Sequence, residues 1–237
     1  KKSCTFMILG NICTRNCSYC GVSSGKPLPP NAMEPGQIVK AVIKLDLNYV
    51  VITSVTRDDL EDGGADHFAA VIETIRSQKP TVKIEVLVPD FRGRKKSLQT
   101  VLAAAPFVLN HNVETVPRLF KKVRPEAKYQ RSLDLLKLSK ALSPDIYTKS
   151  GFMVGLGEEK EEVFSLLEDL KSAGCDFVTI GQYLAPTKEN LPPTRYVSPE
   201  EYENYKTFGR NIGLKKVVAG PFVRSSYQAE GLVQPEE

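Results

Sequence analysis

Along almost the whole chain, apolar β-branched runs alternate with segments of helical period. Strands are predicted over 5–9, 48–55, 82–88, 107–113, 146–154 and 176–183, with a last short one over 217–223. Most are near-continuous apolar runs, as expected of strands covered on both faces. Between them, residues 34–45, 67–77, 95–105, 131–142, 159–173 and 199–212 put apolar side chains at helical spacing. The first helix has a proline near its start, and the fifth stops at Gly174. Strand–helix alternation repeated about six times argues for parallel strands joined by helical crossovers. A doubly wound sheet and a β/α barrel both satisfy it. Polar residues collect just past strand ends, at 56–62, at Pro89–Asp90 and at Asn112–Glu114. Barrel enzymes place their sites at that face, so the expected fold class is α/β, a partial (β/α)6 TIM-like barrel of parallel strands with outer helices. One domain over 1–227 is expected, with a loose tail over 228–237.

Composition adds bounds. With 237 residues, 41% apolar and 25% charged, the chain is an ordinary globular protein. It has no apolar run of about 18 residues, so a membrane span is not expected, and no signal peptide is visible. The net charge of +4 is too small to point to nucleic acid.

Chemistry enters at the cysteines. Three of the five, Cys13, Cys17 and Cys20, lie within eight positions at C-x3-C-x2-C spacing. Thiolates are the ligands that iron–sulfur clusters favour. Three of them on a four-iron cluster leave one iron open to a ligand that reacts. A structural zinc site would want a fourth Cys or His nearby. None lies between Gly21 and Ala65, and His67 and His111 are distant in sequence. A disulfide framework does not suit a chain of this size without a secretory segment.

Other segments carry weaker signals. Gly63-Gly64 allows close backbone approach to a ligand; taken alone, a turn before a helix is the preferred explanation. Glu85 sits inside an apolar strand, so it requires a partner unless it lies at a solvent-facing edge. Asn112, Glu114 and Arg124 offer hydrogen bonds and charge for a ribose, a carboxylate or each other. His111 fits a hydrogen-bonded interior position. Gly151, Gly155 and Gly157 break a strand at its end and leave backbone exposed, unless they form a bulge. Cys175 fits a buried structural residue. RSSY at Arg224 to Tyr227 reads as a turn.

The cysteine spacing, with Tyr19 before the last cysteine, resembles the radical S-adenosylmethionine (radical SAM) superfamily. The segments TFMILG, RDDLEDGGADHF, PDFRG, HNVETVPRL, KSGFMVGLGE, GQYLAPT and RSSY, in this order from Thr5 to about Ala229, resemble the lipoyl synthase family within it. The resemblance implies a [4Fe–4S] cluster on Cys13, Cys17 and Cys20, whose open iron chelates S-adenosylmethionine and whose electron yields a 5′-deoxyadenosyl radical. It implies that Gly63 and Gly64 hold the methionine amino group. Tyr19, Asn112, Glu114, Arg124 and Gly155 are the further expected contacts to the cosubstrate. The implied reaction inserts two sulfur atoms at C6 and C8 of a protein-bound octanoyl-lysine. The sulfur would come from a second, auxiliary [4Fe–4S] cluster with Ser226, or as second choice Ser225, as one ligand, and Arg224 would position or gate that cluster. The remaining ligands of that cluster belong, in the family, to an upstream C-x4-C-x5-C motif. Cys4, nine positions before Cys13, does not fit it, so either the motif precedes Lys1, which is the favoured expectation, or the protein lacks the auxiliary cluster. Implied partners are octanoylated lipoyl carrier domains (the glycine cleavage H protein and 2-oxoacid dehydrogenase E2) and a ferredoxin or flavodoxin. The expected enzyme is a monomer in a bacterial cytoplasm or an organellar matrix. Alternatives are another sulfur-inserting enzyme of the superfamily, such as a biotin synthase, and a non-catalytic metal-binding module that recognises lipoyl domains.

Overall fold

Each strand and helix expected from the pattern forms, with ends shifted by a few residues, in the computed structural model. It describes residues 2–226 and 231. The tail expected over 228–237 lies outside the described residues, Gly231 excepted. The chain falls into two units: Lys1–Arg15, Val22–Asn110 and Ser139–Ile146 form the first, and Asn16–Gly21, His111–Leu138 and Tyr147–Glu237 the second.

In chain order the first unit contains β1 (Ser3–Ile8), β2 (Ile12–Cys13), β3 (Ser23–Ser24), α1 (Glu34–Lys44), β4 (Tyr49–Ser54), α2 (Ala65–Gln78), β5 (Lys83–Leu87), α3 (Lys95–Ala103) and β6 (Val108–Asn110). Strands β1, β4, β5 and β6 are parallel neighbours in that order, with Met7 beside Thr53, Thr53 beside Leu87, and Leu87 beside Asn110. Val50, Ile52 and Val86 of the strands are fully buried, as are Val42, Phe68, Ile72, Ile75 and Val101 of the helices. Burying each such side chain contributes about 1.5–3 kcal/mol. Parallel strands need crossovers, and α1, α2 and α3 supply them. The buried Glu85 has its partners: the Tyr49 hydroxyl donates to Oε2 at 2.7 Å and the Asn110 amide to Oε1 at 3.2 Å.

The second unit contains α4 (Phe120–Val123), most of α5 (Tyr129–Leu142), β7 (Tyr147–Val154), α6 (Lys160–Ser172), β8 (Phe177–Gln182), α7 (Pro199–Asn211) and β9 (Lys216–Gly220). Strands β7, β8 and β9 are parallel in that order, with Gly151 beside Thr179 and Gly181 beside Gly220. Its core gathers Phe152, Val154, Val178, Ile180, Val217 and Ala219 from the strands, and Leu166, Leu167, Leu170, Tyr202 and Tyr205 from the helices. Cys175 belongs to that core. His111 is buried, with its ring nitrogen 3.0 Å from the Ser132 hydroxyl. Helix α7 starts in a capping box: Ser198 Oγ accepts from the Glu201 amide, the Glu201 carboxylate accepts in return, and Pro199 occupies the first turn.

Two tyrosines of α7 give a pH prediction. Burial, reinforced by carboxylates, raises the hydroxyls of Tyr202 and Tyr205 from an ordinary 10.0 to about 12. Below pH 10 both states keep these protons, and the stabilisation is complete. Above it the unfolded chain releases them while the folded chain does not. Stability should therefore fall as pH rises from 10 to 12, beyond what Tyr202→Phe with Tyr205→Phe shows. Urea midpoints across that interval test this; parallel pH dependence in parent and double variant would contradict it.

Candidate active site

The cysteine loop is held from one side at each end. Leu9, at the end of β1, adopts a positive φ of 66°, and both its backbone groups are taken. Its amide donates to Glu34 Oε2 at 2.9 Å, and the buried Arg57 guanidinium donates to its carbonyl at 3.1 Å. Glu34 Oε2 also meets His67 Nε2 at 2.6 Å. Gly64 explains part of the RDDLEDGG pattern. It precedes α2 with φ +90°, and a Cβ there would come within 2.4 Å of Leu9 Cδ1. Only glycine fits both the backbone angle and the space. At Gly63 a Cβ would sit 3.1 Å from the Phe91 ring.

Beyond Leu9, the first half of the loop is anchored within the first unit. Thr14 N donates to the Thr56 carbonyl, and Thr14 Oγ1 accepts from the Asp58 amide, each at 3.0 Å. Arg15, between the first two cysteines, is 4% exposed. Its Nε reaches Asp58 at 2.7 Å and its Nη2 reaches Asp90 at 2.6 Å. Burial lowers the guanidinium's affinity for its proton, but its hydrogen bonds to both carboxylates more than offset this and raise it above the ordinary arginine value. The Arg15 amide also points at Cys13 Sγ, 3.4 Å away.

The second half of the loop, Asn16–Gly21, is anchored within the second unit. Asn16 N donates to Glu126 at 2.8 Å, Ser18 N to the Val123 carbonyl at 3.1 Å, and Asn190 Nδ2 to the carbonyls of Ser18 and Cys20 at 3.2 and 3.0 Å. The Cys20 amide turns back to the Cys17 carbonyl at 3.0 Å. Tyr19 packs against the core and hydrogen-bonds Glu114. Burial first, then Glu114, raise its hydroxyl well above the ordinary value, with smaller contributions from Cys17 and Cys20. Burial likewise raises Glu114, against the pull of Arg124, Asn112 and Tyr19. Arg124 donates to the carbonyls of Asn112 at 2.8 Å and Val113 at 3.5 Å, and Asn112 donates to Glu114 at 3.1 Å. The structure thus brings Cys17, Tyr19, Cys20, Asn112, Glu114 and Arg124 together in one unit. Cys13, Gly63 and Gly64 belong to the other.

Three expected contributors, Gly155, Arg224 and Ser226, stand elsewhere. Gly155 is not open backbone: it is buried, its amide donates to Glu158 at 2.6 Å, and its carbonyl accepts from Thr194 N at 2.7 Å. The Glu158 carboxylate also caps the Leu156 amide at 2.9 Å, so it ties down the backbone that the glycines were expected to leave free. Arg224 and Ser226 lie on an exposed turn after β9, where Arg224 Nη1 donates to the Val223 carbonyl at 2.7 Å. Sequence reading missed Arg15, Asp58 and Asp90 as an anchor. An arginine between two ligating cysteines and aspartates past two strand ends were the available signals.

None of the five cysteines is in a disulfide. Among the described residues, no three or more His, Cys, Asp or Glu side chains converge to hold a single metal ion. A four-iron cluster differs, because each thiolate meets its own iron and the ligands spread wider than around one atom. The donor set fits that group: soft thiolates without a hard carboxylate shell, and an amide hydrogen bond to Cys13 sulfur, a known modulator of cluster potential. For the cosubstrate, Asn112 Oδ1 is buried without a hydrogen-bond partner.

The Radical SAM superfamily model matches residues 7–170, which defines the class: the chain is a radical SAM enzyme, and the superfamily implies a [4Fe–4S] cluster and S-adenosylmethionine. Among curated relatives, the lipoyl synthase of Caldicellulosiruptor saccharolyticus is 57% identical over 97% of this chain and 81% of its own length. Those of Alkaliphilus metalliredigens and Vibrio vulnificus are 52% and 54% identical, over 100% and 95% of this chain and 82% and 71% of theirs. The chain belongs to the lipoyl synthase family. Solved structures carry the fold likeness. Methylornithine synthase superposes with a TM-score of 0.69 at 12% identity, over 99% of this chain and 77% of its own. HydG, a maturase of the [FeFe]-hydrogenase, gives 0.72 at 14%, over 92% and 51%. At such identities the likeness speaks for the fold alone, the α/β barrel-like class expected from the sequence.

Proposed function

We propose that this chain inserts two sulfur atoms at C6 and C8 of a protein-bound octanoyl-lysine to form lipoyl-lysine. The observation that carries this is 57% identity to a lipoyl synthase over 97% of the chain. Bound cluster and S-adenosylmethionine supply a carbon radical able to abstract hydrogen from unactivated C–H bonds, chemistry beyond any side chain. The protein's part is binding, orientation and exclusion of water. Cys13, Cys17 and Cys20 hold the cluster, and Arg15 fixes the loop. Gly63 and Gly64 give room for the methionine amino group. Asn112, Glu114, Arg124 and Tyr19 orient the rest of the cosubstrate; the buried, unpartnered Asn112 Oδ1 would accept a hydrogen bond from a cosubstrate hydroxyl. Gly155 contributes by letting the strand end turn toward the cosubstrate, since both its polar groups are engaged and Gln182 and the Arg195 carbonyl fill the space a side chain would take. Arg224 and Ser226 serve the auxiliary [4Fe–4S] cluster that donates sulfur. One catalytic domain over 1–227 is supported by a superfamily match that runs through both units. The protein substrates are lipoyl carrier domains of the H-protein and E2 type. A ferredoxin or flavodoxin supplies electrons to a monomeric, cytoplasmic enzyme. No helix among the described residues is long and apolar enough to cross a membrane.

The test uses anaerobically reconstituted full-length protein, including whatever precedes Lys1, with an octanoyl-lysine peptide, S-adenosylmethionine and a reductant. The expected products are 5′-deoxyadenosine, methionine and the dithiolated peptide. Ser226→Ala should keep part of the 5′-deoxyadenosine release and stop thiolation. Cosubstrate cleavage by the parent without thiolation would remove the specific assignment; equal loss of both activities in the serine variant would make Ser226 structural.

A further inference from the structure

The two faces of β7–β8–β9 are built from different residues. Phe152, Val154, Val178, Ile180, Val217 and Ala219 lie on the face that packs into the core. Parallel register puts Lys149 and Gly151 on the opposite face, with Thr179 beside Gly151 and Gly181 one step further along β8. The space over Gly151 is taken by the Thr179 and Asn112 side chains, whose oxygens would lie 2.6 and 3.0 Å from a Cβ there, whereas Gly181 leaves its own face of β8 bare. The chain after β9 turns back onto it. A Cβ on Gly181 would lie 2.2 Å from the Val223 carbonyl oxygen and 3.3 Å from Arg224 Nη1. Gly181 is therefore what allows residues 223–224 to lie on the strand.

Lys149 is the second fastening. It is 1% exposed on β7, and its ammonium donates to the Ser225 carbonyl. Burying an ammonium is costly unless it is hydrogen-bonded, and part of this one's compensation comes from a segment whose neighbours Arg224 and Ser226 are exposed. Exposed turns ordinarily open easily; a charged donor on the central carbonyl of this one opposes that. We propose that Lys149 is a positioning residue for the Arg224-Ser225-Ser226 segment: it pins the Ser225 carbonyl while residues 223–224 rest over Gly181, and so sets where the Ser226 hydroxyl and the Arg224 guanidinium stand. The inference rests on the reading above for why that position matters, because a serine ligand must be presented at one place to bind its iron.

Limited tryptic proteolysis of the cluster-free protein, read by fragment mass at the Arg224–Ser225 bond, tests the pin without the cluster. Lys149→Met should speed cleavage there about tenfold or more, the scale of losing a hydrogen bond to a charged group. Lys149→Arg should restore near-parental cleavage. Equal rates in a folded Lys149→Met protein overturn the proposal. Should that variant not fold, Gly181→Ala decides. Its Cβ displaces the Val223 carbonyl while Lys149 is retained, so acylation of Lys149 by an amine-reactive ester should rise severalfold over the parent; unchanged labelling overturns the proposal. In the reconstituted enzyme, Lys149→Met should depress thiolation more than 5′-deoxyadenosine release, with rescue by arginine. If Ser226→Ala keeps auxiliary-cluster iron and thiolation, the ligand reading of Ser226 fails, while the tryptic result still judges the lysine on its own.

Discussion

Cys17→Ala is expected to abolish 5′-deoxyadenosine release, with loss of cluster absorbance in anaerobically reconstituted protein. The middle cysteine has no substitute. Cys4 is nine positions before the motif, Cys175 is buried in the core of the second unit, and neither histidine lies on the loop. Changes in the shell around metal ligands typically cost about 10–100-fold in affinity or activity; removal of a ligand itself should exceed that. The fold should survive, because the loop's backbone anchors, Ser18 N to Val123 and Asn190 to Ser18 and Cys20, do not involve the Cys17 thiol. An unchanged circular dichroism spectrum with no deoxyadenosine is the expected pair of results. Deoxyadenosine release within a few-fold of the parent would mean that the C-x3-C-x2-C loop does not carry the cluster.

Arg15→Met should be the most damaging change outside the ligands. The methionine matches much of the volume but leaves the carboxylates of Asp58 and Asp90, 8% and 0% exposed, without their shared cation. Removing one partner of a buried ion pair costs about 3–5 kcal/mol. Arg92 stands 3.2 Å from Asp58 but is half exposed, so it offsets only part of the loss. Arg15→Lys should recover little, since one ammonium cannot reproduce two-nitrogen contact with Asp58 together with a contact to Asp90. Two readouts follow: a drop in urea midpoint, and poorer iron loading per folded molecule, because the loop between Cys13 and Cys17 loses its anchor. Iron loading equal to the parent's in Arg15→Met would refute the anchoring role. A triple change of Arg15, Asp58 and Asp90 to apolar residues should recover stability without recovering loading, which separates the cost of orphaned charge from the loss of positioning.

Much of the fold was legible because it rests on local periodicity. The runs 48–55 and 82–88 became β4 and β5, and 159–173 became α6, since an apolar stripe of fixed period has one way to bury itself. The short elements were not legible. The pairing of Ile12–Cys13 with Ser23–Ser24 and the helix Phe120–Val123 have too few residues for a period to show. At the site, Glu85 and His111 could be judged from sequence because a buried polar group demands a partner, and Tyr49 and Ser132 meet that demand. Gly155 could not: nothing local says that Glu158, three residues on, turns back to take its amide.

From its order of residues alone, this protein's parallel α/β class, its three thiolates on one loop and its family segments were determined, because each depends on neighbours in the chain. Tertiary structure decided that Arg15 meets Asp58 and Asp90, forty-three and seventy-five positions away, and that Lys149 meets Ser225, seventy-six away. Such pairings depend on which strand ends and turns packing brings side by side, and a buried charge takes whichever partner that packing delivers.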